Sequence, residues 1–540
     1  MTASPSRRIR RTLLGLAVTV GLVGSACDAQ DGAQAGVAAR LYTSSTATNP
    51  FDGVGWMRIF VRGEGLATPI AGFTRYAPGA AAELPAIPFG PDGARYQLVV
   101  EGWADANGAP AFLVSSGRSP WFEVPRGSEP ASAALFFARI NGVSDLPAVA
   151  TRAAQRLQTG RVGAGVAVTG REVVVAGGGF VNELNATWWR GAGFAQVFAS
   201  VEALDVASQV LSPRRDLRVA RALPTVSSIG FGQAVIAGGF GGNGTPVSDV
   251  ELYNPPGVDD GQPAALPPLA AARAGHTATV LDLDARLILF VGGDAEGTWE
   301  LWDPVGGSRG KRPLPDAKVR SHHTATPFRV PGRTETAVMI AGGESASEVH
   351  ATAMLYEPVG QAMLPVGQAM ATPRTAHAAA FVADHGLLYV LGGFTRTDRS
   401  QATARIDAFD VGQLAFRADA SGLVLGTARG GIEAAVLADN RVLVAGGFGA
   451  EQPGSGMRPL RSLELIYDYV DAQTFSRTIR VASSPTAGAT GQLPLLPTER
   501  IGHGLVALPS GHGLIVGGAA LQTGGAAWQT QLDLQVYNPQ

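Results

Sequence analysis

A short apolar run ending in two glycines recurs seven times along this chain, and that recurrence constrains the fold more than any other feature. It reads VVVAGGGF to Phe180, AVIAGGF to Phe240, LILFVGGD to Asp294, AVMIAGGE to Glu344, LLYVLGGF to Phe394, VLVAGGF to Phe448 and GLIVGGA to Ala519. Runs such as Val173-Val174-Val175 show no polar alternation, which suits strands buried on both faces. The glycine pair lets the backbone turn and approach another sheet where a strand stops.

Two further pieces keep step with the pairs. An arginine precedes each one at a fairly steady interval: Arg161, Arg221, Arg273, Arg320, Arg374, Arg429 and Arg500. A β-pattern closing on an acidic or Pro turn follows, as in VEALD to Asp205, VELYNP to Pro255 and LQVYNP to Pro539. Asn-Pro and Asp-Pro start turns because Pro fixes φ and the short polar side chain bonds the local backbone. The unit is therefore arginine, strand, strand with the glycine pair, strand, turn.

This unit resembles the kelch repeat over about residues 142–540. The resemblance implies an all-β, seven-bladed β-propeller of four-stranded blades. The family usually carries a Trp in the outermost strand; here that place holds Leu266-Pro267, Leu364-Pro365 and Leu493-Pro494. The chain stops soon after LQVYNP, with no sequence for a fourth strand in the last blade. An open edge is a hazard, so residues near Leu146 to Ala150 are expected to supply it, beside the strand containing Val536.

The N-terminus runs from SRRIRR through an apolar stretch, Leu13 to Val23, to GSAC at Cys27. That is the order of a secretory signal, and the apolar stretch is too short to span a bilayer. The expected divisions are a signal peptide at 1–26, a flexible tether at 27–40, a small β-sandwich at 41–141 and the propeller at 142–540. Gly24-Ser25-Ala26-Cys27 looks like a bacterial lipobox, which makes Cys27 a lipidation site; ordinary signal-peptidase cleavage is the alternative. RRTLL, from Arg10 to Leu14, reads as the charged part of that signal. Cys27 is the sole cysteine, so the exported fold has no intrachain disulfide.

A net charge of −2 offers no basic field to nucleic acid. Lysine occurs only at Lys311 and Lys318, a bias that suggests a GC-rich bacterial genome. In the sandwich region, Trp56, Trp103 and Trp121 fill a core or, alternatively, form a sugar-stacking platform.

Four repeats place a histidine three residues after the arginine: His276, His323, His377 and His503. If kelch geometry holds, these begin the innermost strands around a central channel. There Arg273, Arg320, Arg374 and Arg500 either clamp an anionic ligand or brace the scaffold. No metal site and no cofactor is expected. Trp188, Trp189 and Arg190, in the loop after the first glycine pair, either form an exposed recognition surface or fold over the blade edge. Enzymes of the galactose oxidase type share a similar propeller, but their copper radical needs a cysteine crosslinked to a tyrosine, and Cys27 is at the processing site. The one G-x-S-x-G match, GGSRG from Gly306 to Gly310, and the SRGK that overlaps it from Ser308 lie among turn residues, with no strand-to-helix elbow or helix to align a nucleophile.

The leading expectation is an exported, lipid-anchored, non-catalytic binding protein in the periplasm or at the bacterial cell surface. Its partner would be a protein or a glycan, with membrane contact only through the anchor. A carbohydrate-active enzyme like the sialic acid mutarotases, with His276, His323, His377 and Glu433 as inner-strand candidates, is the alternative. A purely structural envelope protein is the third.

Overall fold

Leu287–Val291 shows how the recurrent run is used. In the computed structural model it is a strand whose residues Ile288, Leu289, Phe290 and Val291 are fully buried. Successive side chains of a strand point to opposite faces. Ile288 and Phe290 pack with Val235 and Ala237 of the preceding sheet, while Leu289 and Val291 pack with Val338 and Ile340 of the following one. A run without polar alternation is thus what a strand between two other sheets requires.

The structure describes residues 34–539, apart from breaks of which the longer are 79–86, 89–93, 106–111, 125–130, 182–187, 259–263, 451–455, 471–476, 485–492 and 523–526. The signal segment and Cys27 lie outside the described residues. The chain divides into two units, Met1–Arg139 and Ile140–Gln540.

In the first unit the strands Val37–Tyr42, Ala131–Arg139, Leu113–Arg118, Arg95–Trp103, Trp56–Gly63 and Ile70–Arg75 lie side by side in that order, and Phe122–Glu123 pairs with Arg95–Trp103. Met57, Ile59 and Val61 pack on one face with Leu98, Val100, Leu135 and Phe137. Two facing sheets are expected here, but the described strands join into one seven-stranded sheet beside a two-stranded pair, Gln34–Ala35 with Ile87–Pro88. One reason is that Val37–Tyr42 adds in parallel to Ala131–Arg139 and extends the same sheet. Trp56 stands directly opposite Trp103 in the ladder, so the two share a face of the sheet; Trp103 is buried and donates to Glu101, Trp56 stacks on Phe73 with centroids 5.3 Å apart, and Trp121 is 43% exposed.

The second unit holds six four-stranded antiparallel sheets in a propeller-like arrangement. The second of them, Thr225–Ser228, Ala234–Ala237, Val250–Tyr253 and Ala264–Leu266, runs in simple sequence order, as do the other four formed by the first five repeats. Strands of the sixth repeat belong to a larger, seven-stranded sheet that includes Glu433–Val436, Val442–Ala445, Arg458–Val470 and Arg477–Ser483. The first strands of successive repeats are neighbours, and Gly504–Ala507 returns to Gly165–Thr169, so the set runs round a common axis.

The closing sheet takes its outer strand from the start of the unit. Gly142–Asp145 pairs with Leu534–Asn538, with Ser144 opposite Val536. This lies upstream of the expected Leu146–Ala150, which corrects the sequence reading. Leu146 donates one more bond, 2.9 Å to the Leu534 carbonyl, and then Pro147, lacking an N–H, ends the ladder.

Candidate functional site: the central cavity

The seven arginines do one job. Each donates from Nη1 to the carbonyl of the first glycine of its own repeat's pair: Gly177, Gly238, Gly292, Gly342, Gly392, Gly446 and Gly517. That bond explains the steady interval between arginine and glycine pair. Each guanidinium also meets a carboxylate: Glu202, Glu251, Glu300, Asp316, Asp407, Glu464 or Asp533. Arg273, Arg320, Arg374 and Arg500 have no solvent exposure. They are therefore not on a binding face; a fork of donors engaged by buried backbone and carboxylate oxygens braces the blades instead. Most of these acidic partners stand in the third-strand runs, such as Glu202 in VEALD and Glu251 in VELYNP, where the sequence displays them.

Three of the four expected histidines link neighbouring repeats. Nε2 of His276, His323 and His377 shares a hydrogen bond with Thr225, Thr277 and Thr324 of the repeat before, at 3.1, 2.9 and 3.0 Å. Their Cε1 atoms, and that of His503, lie over the first glycine of the preceding pair, where an added Cβ would come within 2.4 to 3.0 Å. Burial drives these imidazoles toward the neutral form, with the nearby arginines adding to the effect. His276 and His503 fall to about 3, and His323 and His377 lie well below the ordinary range.

These side chains surround a cavity of about 230 Å³ on the ring axis, also lined by Trp189, His322 and Glu433. Of the two readings of its loop, Trp189 does not take the exposed one. It is 9% exposed and packs with Val162, Ala376, Phe394 and Ile501, because its ring finds apolar neighbours from several repeats. His322 donates from Nε2 to its carbonyl at 2.9 Å, and burial lowers His322 to about 4. Arg190 is half-exposed, 4.0 Å from Glu344, and Arg399 grips Glu344 through both terminal nitrogens. Trp188 begins the same short helix, but its side chain lies outside the described residues.

Glu433 breaks the pattern. It stands where Thr277 and Thr324 stand in their repeats, directly after the residue three beyond the arginine. Its side chain is exposed to the cavity yet surrounded by protein, and desolvation raises its carboxyl to about 7. The first strands on either side, Ala378–Val382 and Gly504–Ala507, carry no ionisable residue, and neither does Val442–Ala445 behind it. A carboxyl with no cation beside it is costly for a scaffold and marks a functional position. Because the folded state holds this proton more tightly than the unfolded chain, its contribution to stability is present below about pH 4.5 and is lost as pH rises to about 7. Glu433→Gln should therefore melt higher than the parent at about pH 8 and with it at about pH 4, as read by thermal denaturation. Among the described residues, no group of three or more His, Cys, Asp or Glu side chains could hold a metal ion.

No family model matches the chain, and no curated protein is similar to it. Among solved structures it is similar to a novel fungal alcohol oxidase with catalytic diversity among the AA5 family, in complex with copper. The two share 14% identity over 74% of this chain and 76% of that chain, with a TM-score of 0.48. That is a likeness of chain trace and says nothing of chemistry.

Proposed function

We propose that the second unit is a seven-bladed propeller of the kelch type, in an exported protein anchored by lipid at a bacterial cell envelope. In this reading it binds another protein or a glycan without turning it over. The sixth repeat supplies the remaining blade through Glu433–Val436, Val442–Ala445, Arg458–Val470 and Arg477–Ser483, hydrogen-bonded in that order. One observation carries the binding role. The repeated charges are all taken up inside the blades, while Glu433, the departure from the repeat, opens into a cavity.

Glycan arrays and crosslinking to envelope extracts test this reading, using the chain from residue 28 onward. Retention of a glycan or an envelope protein is expected; retention of neither returns the structural role. A carboxyl near 7 also suits acid/base work, which favours a carbohydrate isomerase as the second reading. Faster exchange between sugar anomers, followed by NMR and lost in Glu433→Gln, would replace the binding role with that one.

The anchor has its own test. Cys27→Ser should move the protein from the membrane fraction to the soluble fraction, and mass spectrometry of the parent should find an acylated Cys27. A mature N-terminus elsewhere, without lipid, removes the anchor from the reading.

A further inference from the structure

We infer that the central cavity takes a small ligand carrying an ammonium group, held by the Glu433 carboxylate. This rests on the binding role proposed above and names its ligand class. Two features on the ring axis converge on it.

The first is charge. Every arginine that begins a repeat is bound to a carboxylate inside its own blade, so none faces the cavity as a free cation. Arg399 and Arg190 lie near Trp189, but both are directed at Glu344, and neither lines the cavity. The titratable groups that face Glu433 there are His276, His322, His323, His377 and His503, which burial keeps neutral. Once Glu433 ionises, the cavity holds a negative charge without a counter-ion. An anion is repelled, and a neutral polyol leaves the carboxylate uncompensated.

The second is the lining and size. Trp189 supplies an aromatic ring, and aromatic faces attract cations. A cavity of about 230 Å³ lies below the ~300–1,000 Å³ of drug-sized pockets, which restricts the ligand to a single ring or a short chain.

The test uses three molecules of similar size that differ in charge: ethanolamine, ethylene glycol and glycolate. Ligand-observed NMR on the mature chain at about pH 8, where Glu433 is ionised, should show ethanolamine binding at least about tenfold more tightly than ethylene glycol and no binding of glycolate. The preference should fall at about pH 5.5 as Glu433 takes up its proton. Glu433→Gln should bind ethanolamine and ethylene glycol alike, and its melting temperature shows that it folds. Displacement of ethanolamine by glucosamine but not glucose assigns the cation to an amino sugar; displacement by neither assigns it to an open-chain amine. Equal affinities for the three molecules, no binding of ethanolamine, displacement by glucose, or a preference surviving in Glu433→Gln each overturns the inference. Retention of an envelope glycan or protein alongside such a result leaves the binding role standing, so the two fail separately.

Discussion

Arg429→Ala should lower folding stability by about 3–5 kcal/mol, the usual cost of removing one partner from a buried ion pair. Arg429 and Glu464 are both fully buried, joined at 2.7 Å. Arg429 also donates to the carbonyls of Thr427, Gly446 and Ser462, and Glu464 accepts from the backbone N–H groups of Gly426 and Thr427. Alanine leaves the carboxylate without its cation and the carbonyls without a donor. Replacing both charges, Arg429→Met with Glu464→Leu, should cost much less, since the unpaired buried charge is what dominates the loss. Urea unfolding of the single and double variants measures this. A single variant within about 1 kcal/mol of the parent would show that the guanidinium is not what holds the blade.

Gly238→Ala comes next in size, with an expected loss of about 2–4 kcal/mol from left-handed backbone plus overpacking. Gly238 has φ +59°, and its Cβ would lie 2.4 Å from His276 Cε1 and 2.7 Å from the Arg273 carbonyl oxygen. Gly230 is the control, with φ +86° and nothing within 4 Å of its Cβ. There only the backbone term remains, about 1 kcal/mol. Adding His276→Ala to Gly238→Ala should recover part of the loss, because it removes the imidazole contact and leaves the carbonyl contact. Equal losses at Gly238 and Gly230 would mean that the glycine pair serves the turn alone and not the seam between repeats.

The residues that repeat were the ones readable from sequence, because a structural need met in every blade prints itself at a fairly steady interval. Arg161 and its six equivalents stand at that interval from the glycine carbonyl they bind. Their acidic partners were visible as letters but not as partners, since Arg161 meets Glu202 across 41 residues and no local pattern links them. The sequence leaves the place of Trp189 open between surface and blade edge for a related reason. Its neighbours Ala376, Phe394 and Ile501 come from other repeats, and nothing in its own loop tells that they converge. Glu433 was legible as an inner-strand candidate; that it replaces the threonine of three other repeats, Thr225, Thr277 and Thr324, emerges only when the repeats are aligned on their arginines. The strand Gly142–Asp145 carries little β-propensity of its own, so its position was placed too far along, at a Leu-Pro step that resembles those of the other blades. In the first unit, Met57, Ile59 and Val61 alternate along Trp56–Gly63 and are buried on one face, but alternation within a strand does not fix how many sheets the strands form.

The pairing of Gly142–Asp145 with Leu534–Asn538 also sets an order of assembly. Asp145 accepts a hydrogen bond from Gln535, 390 residues away in sequence. Each doubling of the closed loop adds only about 0.6 kcal/mol to its entropic cost, so length alone does not forbid the contact. It does make the contact late: contacts so distant in sequence slow folding, and every residue between the two strands is synthesised before Leu534–Asn538 can pair. Until it arrives, Gly142–Asp145 waits as an unpaired edge, exposed to proteases and to the strands of other copies. In the finished molecule the same clasp is held by hydrogen bonds and packing, without a covalent link across it. Its amides are therefore the ones to exchange together with solvent whenever the ring breathes.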